Sequence, residues 1–266
     1  MRKFFNTIKI GLIILIILIN IIQYHLFPSS IVKSINRHLL KMMLVLMNVK
    51  IKIHGNVEAL NNNNLLVMAN HYDGVIDVAI LFDMYYNNNK DNKLYTIVKH
   101  NIVGDPNDQS IVSKMMCYIK ESFLNSLAFI PYKRGDKEDG VVVKQIIAKT
   151  LQDGDNILIF PEGTTRTDGV PKDFRHGIFQ LAIEKKMNIL PITLKYNKDI
   201  GSERGEPVNF YNVFDNQLDI YIHDLIDSKV DDCYKINDYL ALKQKTYDII
   251  VGGAARRDIS IPPAGG

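Results

Sequence analysis

The sequence predicts an α/β fold, a mostly parallel central sheet flanked by helices. Three observations predict it. Short apolar runs of strand length alternate with longer segments of helical spacing, the pattern of strand-crossover-strand units. Turn-forming polar clusters such as 61–64, 87–92 and 153–156 separate them. Two of the apolar runs end directly in residues that carry chemistry, Asn70-His71 and Phe160-Pro161-Glu162-Gly163, and open α/β sheets place their ligands outside the carboxyl ends of strands.

Near the start of the chain lies Ile10 to Phe27, 18 residues without a formal charge when His25 is neutral. A helix needs about 17 to 25 residues to cross a hydrocarbon core, so this run is long enough. Arg2, Lys3 and Lys9 precede it, and no small-x-small cleavage site follows it, which favours a retained anchor over a cleaved signal peptide. Pro28-Ser29-Ser30 is a break with N-cap chemistry. Ile31 to Met47 then places Ile31, Ile35, Leu39, Met42, Met43 and Leu46 near one face and Lys33, Arg37, His38 and Lys41 on the other. Such a helix either lies in the headgroup layer or packs on the core. Basic residues on both sides of the anchor leave its orientation open.

The core elements follow in order. Val49–His54 alternates like an exposed strand, and Leu65–Ala69 is a buried strand. Val75–Tyr86 reads as a helix, Leu94–Lys99 as a strand, Ser110–Asn125 as a helix and Leu127–Pro131 as a strand. Asp139–Gln152 is a helix, Ile157–Phe160 a strand, Phe174–Lys186 a helix and Asn188–Lys195 a strand, with Pro191 structural. Gln217–Ile226 is a late strand and Ile236–Val251 a terminal helix. Residues 252–266 break in composition and read as a disordered tail or an appended remnant. The expected organisation is therefore 1–48, anchor and amphipathic helix; 49–251, catalytic domain; and 252–266, tail.

Composition removes several function classes. The net charge is +3 over 266 residues, and the basic residues form no stripe, which argues against nucleic acid. Cys117 and Cys233 have no metal-ligand spacing and cannot make a disulfide framework. No Gly-x-Ser-x-Gly elbow, no phosphate-binding Gly-x4-Gly-Lys loop and no zinc pattern is present, so the expectation is no metal, no cofactor and no acyl-enzyme.

His71 can take a proton near neutral pH. A carboxylate on its other nitrogen would fix the tautomer, and both Asp77 and Asp73 are within reach along the chain. Glu162, Gly163, Thr164, Thr165 and Arg166 combine a carboxylate, a glycine, hydroxyls and a bidentate cation, a set suited to a phosphate. Glu162 can instead be structural, bonding backbone amides around the turn. Two further arginines stand nearby in sequence. Arg134 lies in the charged run Lys133 to Glu138, and Arg175 begins a helix; each is a second phosphate contact or a solvated residue.

The strings Asn70-His71 with Asp77 and Phe160-Pro161-Glu162-Gly163-Thr164-Thr165-Arg166 resemble those of the glycerolipid acyltransferases, the family that includes 1-acylglycerol-3-phosphate acyltransferase. The resemblance spans roughly residues 67 to 196 and adds Ile130–Arg134, Phe174–Gly177 and Asn188–Ile192 as weaker matches. It departs at one point, since five residues separate His71 from Asp77 where the family has four. It implies His71 and Asp77 as the catalytic pair. It implies Arg134, Glu162, Gly163, Thr164 and Arg166 as the acceptor pocket, with Arg166 on the phosphate. The implied reaction moves a fatty acyl group from acyl-CoA or acyl carrier protein to 1-acylglycerol-3-phosphate, giving phosphatidic acid. Another lysophospholipid or glycerol-3-phosphate as acceptor stays open, as does a catalytically inactive lipid-binding protein. The implied partners are membrane lipids, the lysophospholipid and acyl-CoA, at the endoplasmic reticulum in a eukaryote or the cytoplasmic membrane in a bacterium.

Overall fold

The structure is a computed structural model that describes residues 7–9, 11–13, 15, 16, 19, 38, 41–72, 76–89, 92–99, 129–133, 135–164, 172–197 and 214–255. Most of the expected anchor at 10–27, much of the helix expected at 31–47, the helix expected at 110–125, and Asp73, Arg134, Thr165 and Arg166 lie outside these residues.

Seven strands form one sheet: β1 (Lys50–Gly55), β2 (Leu65–Ala69), β3 (Leu94–Lys99), β4 (Phe129–Tyr132), β5 (Asn156–Ile159), β6 (Asn188–Tyr196) and β7 (Gln217–Ile222), in the order β1-β7-β6-β2-β5-β3-β4. All neighbours are parallel except β6 and β7. The helices are α1 (Ile76–Asn88), α2 (Lys137–Gln152), α3 (Gly177–Lys185), α4 (Asp232–Lys235) and α5 (Tyr239–Ala255), with a 3₁₀ turn at Val57–Asn61.

The central strands are continuous apolar runs because both faces are covered. Along β2, Leu65, Val67 and Ala69 face a cluster with Ile76, Ile80 and Tyr85 of α1. Leu66 and Met68 face the opposite cluster, with Val143 and Ile147 of α2, Phe179 of α3 and Leu242 and Ile250 of α5. This is the period-two alternation of a strand with helices on both sides. Pro191 falls where β6 pairs with β2 but its ladder with β7 has ended at Ile192, a position that tolerates a missing donor.

Most boundaries shift by one or two residues, and four differences are larger or have a specific cause. Helix α3 begins at Gly177 rather than Phe174, because the Arg175 amide donates to the Pro161 carbonyl at 2.8 Å and Phe174 is buried against Phe179 and Tyr247. Strand β7 stops at Ile222, leaving Ile226 as a single bridge to Ile189. Helix α5 starts at Tyr239, since Asp232–Lys235 forms the short α4 before it. The boundary set at Gly252 also moves. Residues 252–255 remain helical, and Gly253 is buried against β6, so composition alone does not end the fold there.

At 7–19 the described residues are helical. Ile13 and Ile16 are buried, and Ile8, Leu12, Leu15 and Ile19 are exposed at helical spacing. Among the described residues no helix is long and apolar enough to cross a membrane.

Candidate active site

The strands β6, β2 and β5 are adjacent and parallel, so their carboxyl ends open at one edge of the sheet. The connection leaving β2 runs toward the β5 side, and the connection leaving β5 crosses back over β2 to β6. This reversal is where open α/β sheets form a ligand crevice.

Asn70 closes β2. It is fully buried, and its side chain continues the sheet. Its amide donates to the Leu194 carbonyl at 2.8 Å, and its carbonyl oxygen accepts from the Leu194 amide at 2.7 Å. A buried amide satisfied in this way locks the end of β2 to β6.

His71 follows. Its Nδ1 lies 3.1 Å from Oδ2 of Asp77, a buried carboxylate in the first turn of α1. Its ring stacks on Phe160 with centroids 3.9 Å apart. The Asp77 carboxylate accepts two more hydrogen bonds, from the Tyr72 amide to Oδ2 at 2.6 Å and from the Tyr196 hydroxyl to Oδ1 at 2.8 Å. The carboxylate accepts from both of these donors, and in the tautomer in which Nδ1 of His71 donates to it as well, Nδ1 carries the ring proton. Nε2 is then the ring's free acceptor. The His71 side chain is 12% exposed, whereas that of Asp77 is fully buried.

Glu162 sits beyond β5 and is also buried. Its Oε1 accepts from the His71 amide and its Oε2 from the Lys172 amide, both at 3.1 Å. The consecutive amides of His71 and Tyr72 are thus held by two different carboxylates. Gly163 turns the chain with φ of +66°, which favours glycine. A side-chain carbon there would meet the Arg175 side chain at 3.4 Å, so the exposed Arg175 lies over this turn. Thr164 is half-buried beside it.

The structure therefore brings His71, Asp77, Glu162, Gly163 and Thr164 to one edge of the sheet. It gives contacts to Asn70 and Phe160, which the sequence placed in the two motifs without a role, and adds Tyr196, which the sequence did not single out. A fully buried asparagine after an apolar strand was a visible signal, because it must find partners. Tyr196 carried no local signal, since its role depends on β6 lying beside β2.

The sequence model of the acyltransferase family matches residues 50–195, the region that contains this edge. The chain is 25% identical over 191 residues to a 1-acyl-sn-glycerol-3-phosphate acyltransferase of Borreliella burgdorferi, covering 70% of this chain and 65% of that one. It is 26% identical over 145 residues to the protein of that name from Neisseria gonorrhoeae, covering 54% of this chain and 49% of that one. The matches thus span less than two thirds of either relative's length. In fold, it resembles the 1-acyl-sn-glycerophosphate acyltransferase PlsC from Thermotoga maritima, with a TM-score of 0.63 at 15% identity over 97% of this chain and all of that one. With the family match covering more than half of the sequence and falling on the strand ends that carry His71 and Glu162, the chain belongs to the acyltransferase family.

Proposed function

We propose that this chain transfers a fatty acyl group from an acyl thioester to the free hydroxyl of 1-acylglycerol-3-phosphate, giving phosphatidic acid. The observation that carries the reading is the bond from His71 Nδ1 to Asp77, which leaves Nε2 as the acceptor for a proton. Nε2 takes the proton of the acceptor hydroxyl as its oxygen attacks the thioester carbonyl. The tetrahedral intermediate then expels the thiolate, and the imidazolium returns the proton to sulfur. Asp77 stabilises the imidazolium between the two steps. The transfer is direct, with no acyl-enzyme, metal or cofactor.

Arg166 and Arg134 hold the acceptor phosphate in this reading, as the family resemblance implies. Glu162 supports the same pocket by fixing the backbone on both sides of it. Residues 10–27 anchor the protein as an uncleaved membrane helix, which brings the site to a lysolipid and to acyl chains in the bilayer. The exposed stripe of Ile8, Leu12, Leu15 and Ile19 supports an apolar environment for this segment.

The test is thiol release from acyl-CoA, with mass spectrometry of the products, across lysophosphatidate, other lysophospholipids and glycerol-3-phosphate. Phosphatidic acid formed preferentially from lysophosphatidate is the expected result. Preference for another acceptor corrects the substrate, and no acceptor-dependent thiol release refutes the activity.

A further inference from the structure

We infer that Tyr196 is a positioning residue for the transfer, setting the rotation of the Asp77 carboxylate and through it the aim of the His71 ring. The inference rests on the reading of His71 as the base. Oδ2 of Asp77 is shared between two donors, and the nearer is not His71: the Tyr72 amide is at 2.6 Å and Nδ1 at 3.1 Å. A carboxylate turns about its Cβ–Cγ bond at little cost. The shorter bond on Oδ2 goes to the Tyr72 amide, so Oδ2 by itself does not set the plane toward the imidazole. The Tyr196 hydroxyl holds the other oxygen, Oδ1, at 2.8 Å and fixes that plane.

Tyr196 is itself fixed. It is buried at the end of β6, and its ring meets Tyr72 edge-on at 5.3 Å and 79°. The paired bonds between Asn70 and Leu194 tie β2 to β6 one residue before His71 and two residues before Tyr196. The contacts close a ring: His71, Asp77, Tyr196, Leu194, Asn70 and back to His71. Within that ring one of the Asp77 oxygens is aligned from β6, a contact set by strand pairing rather than by the count of residues between His71 and Asp77.

Tyr196→Phe removes the hydroxyl and keeps the ring packing. It is expected to lower kcat about tenfold, the effect of one hydrogen bond, while KM for donor and acceptor stays within about twofold. Single-turnover rates then complete a cycle with Asp77→Asn. A residue acting through Asp77 adds little further loss in that background, whereas an independent structural effect adds in full. Thermal melting confirms that each variant is folded. A wild-type kcat for Tyr196→Phe, or a loss carried undiminished into Asp77→Asn, overturns the inference. His71→Ala run alongside separates the two ideas. If it is inactive while Tyr196→Phe is normal, only this inference falls; if it turns over normally, both fall.

Discussion

Nδ1 of His71 and Oδ2 of Asp77 meet at 3.1 Å although five residues separate them in sequence. In a continuous helix one extra residue would swing the carboxylate by about 100°. Asp77 stands in the first turn of helix α1, Ile76–Asn88. Asp77→Asn presents an amide that can donate where a carboxylate only accepts, which disfavours the tautomer with a bare Nε2. It should lower kcat by about 10²- to 10⁴-fold, with a much smaller loss for Asp73→Asn. Steady-state kinetics on folded variants decide the order, and a larger loss for Asp73→Asn would reassign the partner.

Arg166→Ala should weaken the acceptor more than the acyl donor. Losing a charge-assisted contact to phosphate costs about 1.5–3 kcal/mol, or roughly 10- to 150-fold in apparent affinity. Lysine should restore only part of it, because it lacks the planar fork. Kinetics with each substrate varied in turn check this. A defect confined to the donor would show that the phosphate lies elsewhere.

The two glycines at the end of α5 should respond in opposite directions. A side-chain carbon at Gly253 would come within 2.7 Å of Thr193 Oγ1 and 2.8 Å of His223 Cε1. Thr193 cannot easily yield, since its hydroxyl donates to the Ile250 carbonyl and meets His223 Nε2, both at 2.8 Å. Gly253→Ala should therefore destabilise the fold by about 1–3 kcal/mol. At Gly252 a side-chain carbon meets nothing within 4 Å. Gly252→Ala should be neutral or stabilise by up to about 1 kcal/mol, as alanine does in a helix. Denaturant unfolding of both variants measures the contrast, and equal effects would mean that the helix does not continue past Val251.

Asp231 should carry a pH-dependent share of stability. It caps α4 by accepting from the Cys233 amide at 2.9 Å and pairs with Lys245 of α5. Burial pushes its carboxyl up, but the hydrogen bonds from Lys245 and Cys233 outweigh burial and hold it below the usual range. A carboxyl depressed in the folded state contributes fully above its unfolded value of about 3.9 and loses that contribution as pH falls through the folded value. Asp231→Asn should thus cost about 1 kcal/mol at pH 7, and the gap from wild type should close in acid below about pH 4. Thermal melts across that range test it; a gap that widens in acid would contradict the pairing.

Much of this architecture was legible in the sequence. β2 and β3 occupy the residues expected of them, and β2 does so because a strand buried on both faces is a short apolar run between polar breaks. The His71 and Glu162 motifs were legible as chemistry, and their places at the ends of β2 and β5 followed from the same breaks. What was not legible depends on pairing across the chain. The antiparallel entry of β7 beside β6 leaves no local mark. The choice between Asp73 and Asp77 could not be made by counting residues, since Tyr196 comes from a strand more than a hundred positions away. Glu162 has the residue type of a ligand-binding group, yet both its oxygens meet backbone amides, one from beyond β2 and one at Lys172.

The central claim is that His71 is the base, and kcat of His71→Ala measured beside its lysophosphatidate binding tests it most directly. The account predicts that turnover falls by at least about 10²-fold while lysolipid affinity and thermal stability stay close to wild type. A His71→Ala protein with wild-type kcat would contradict it.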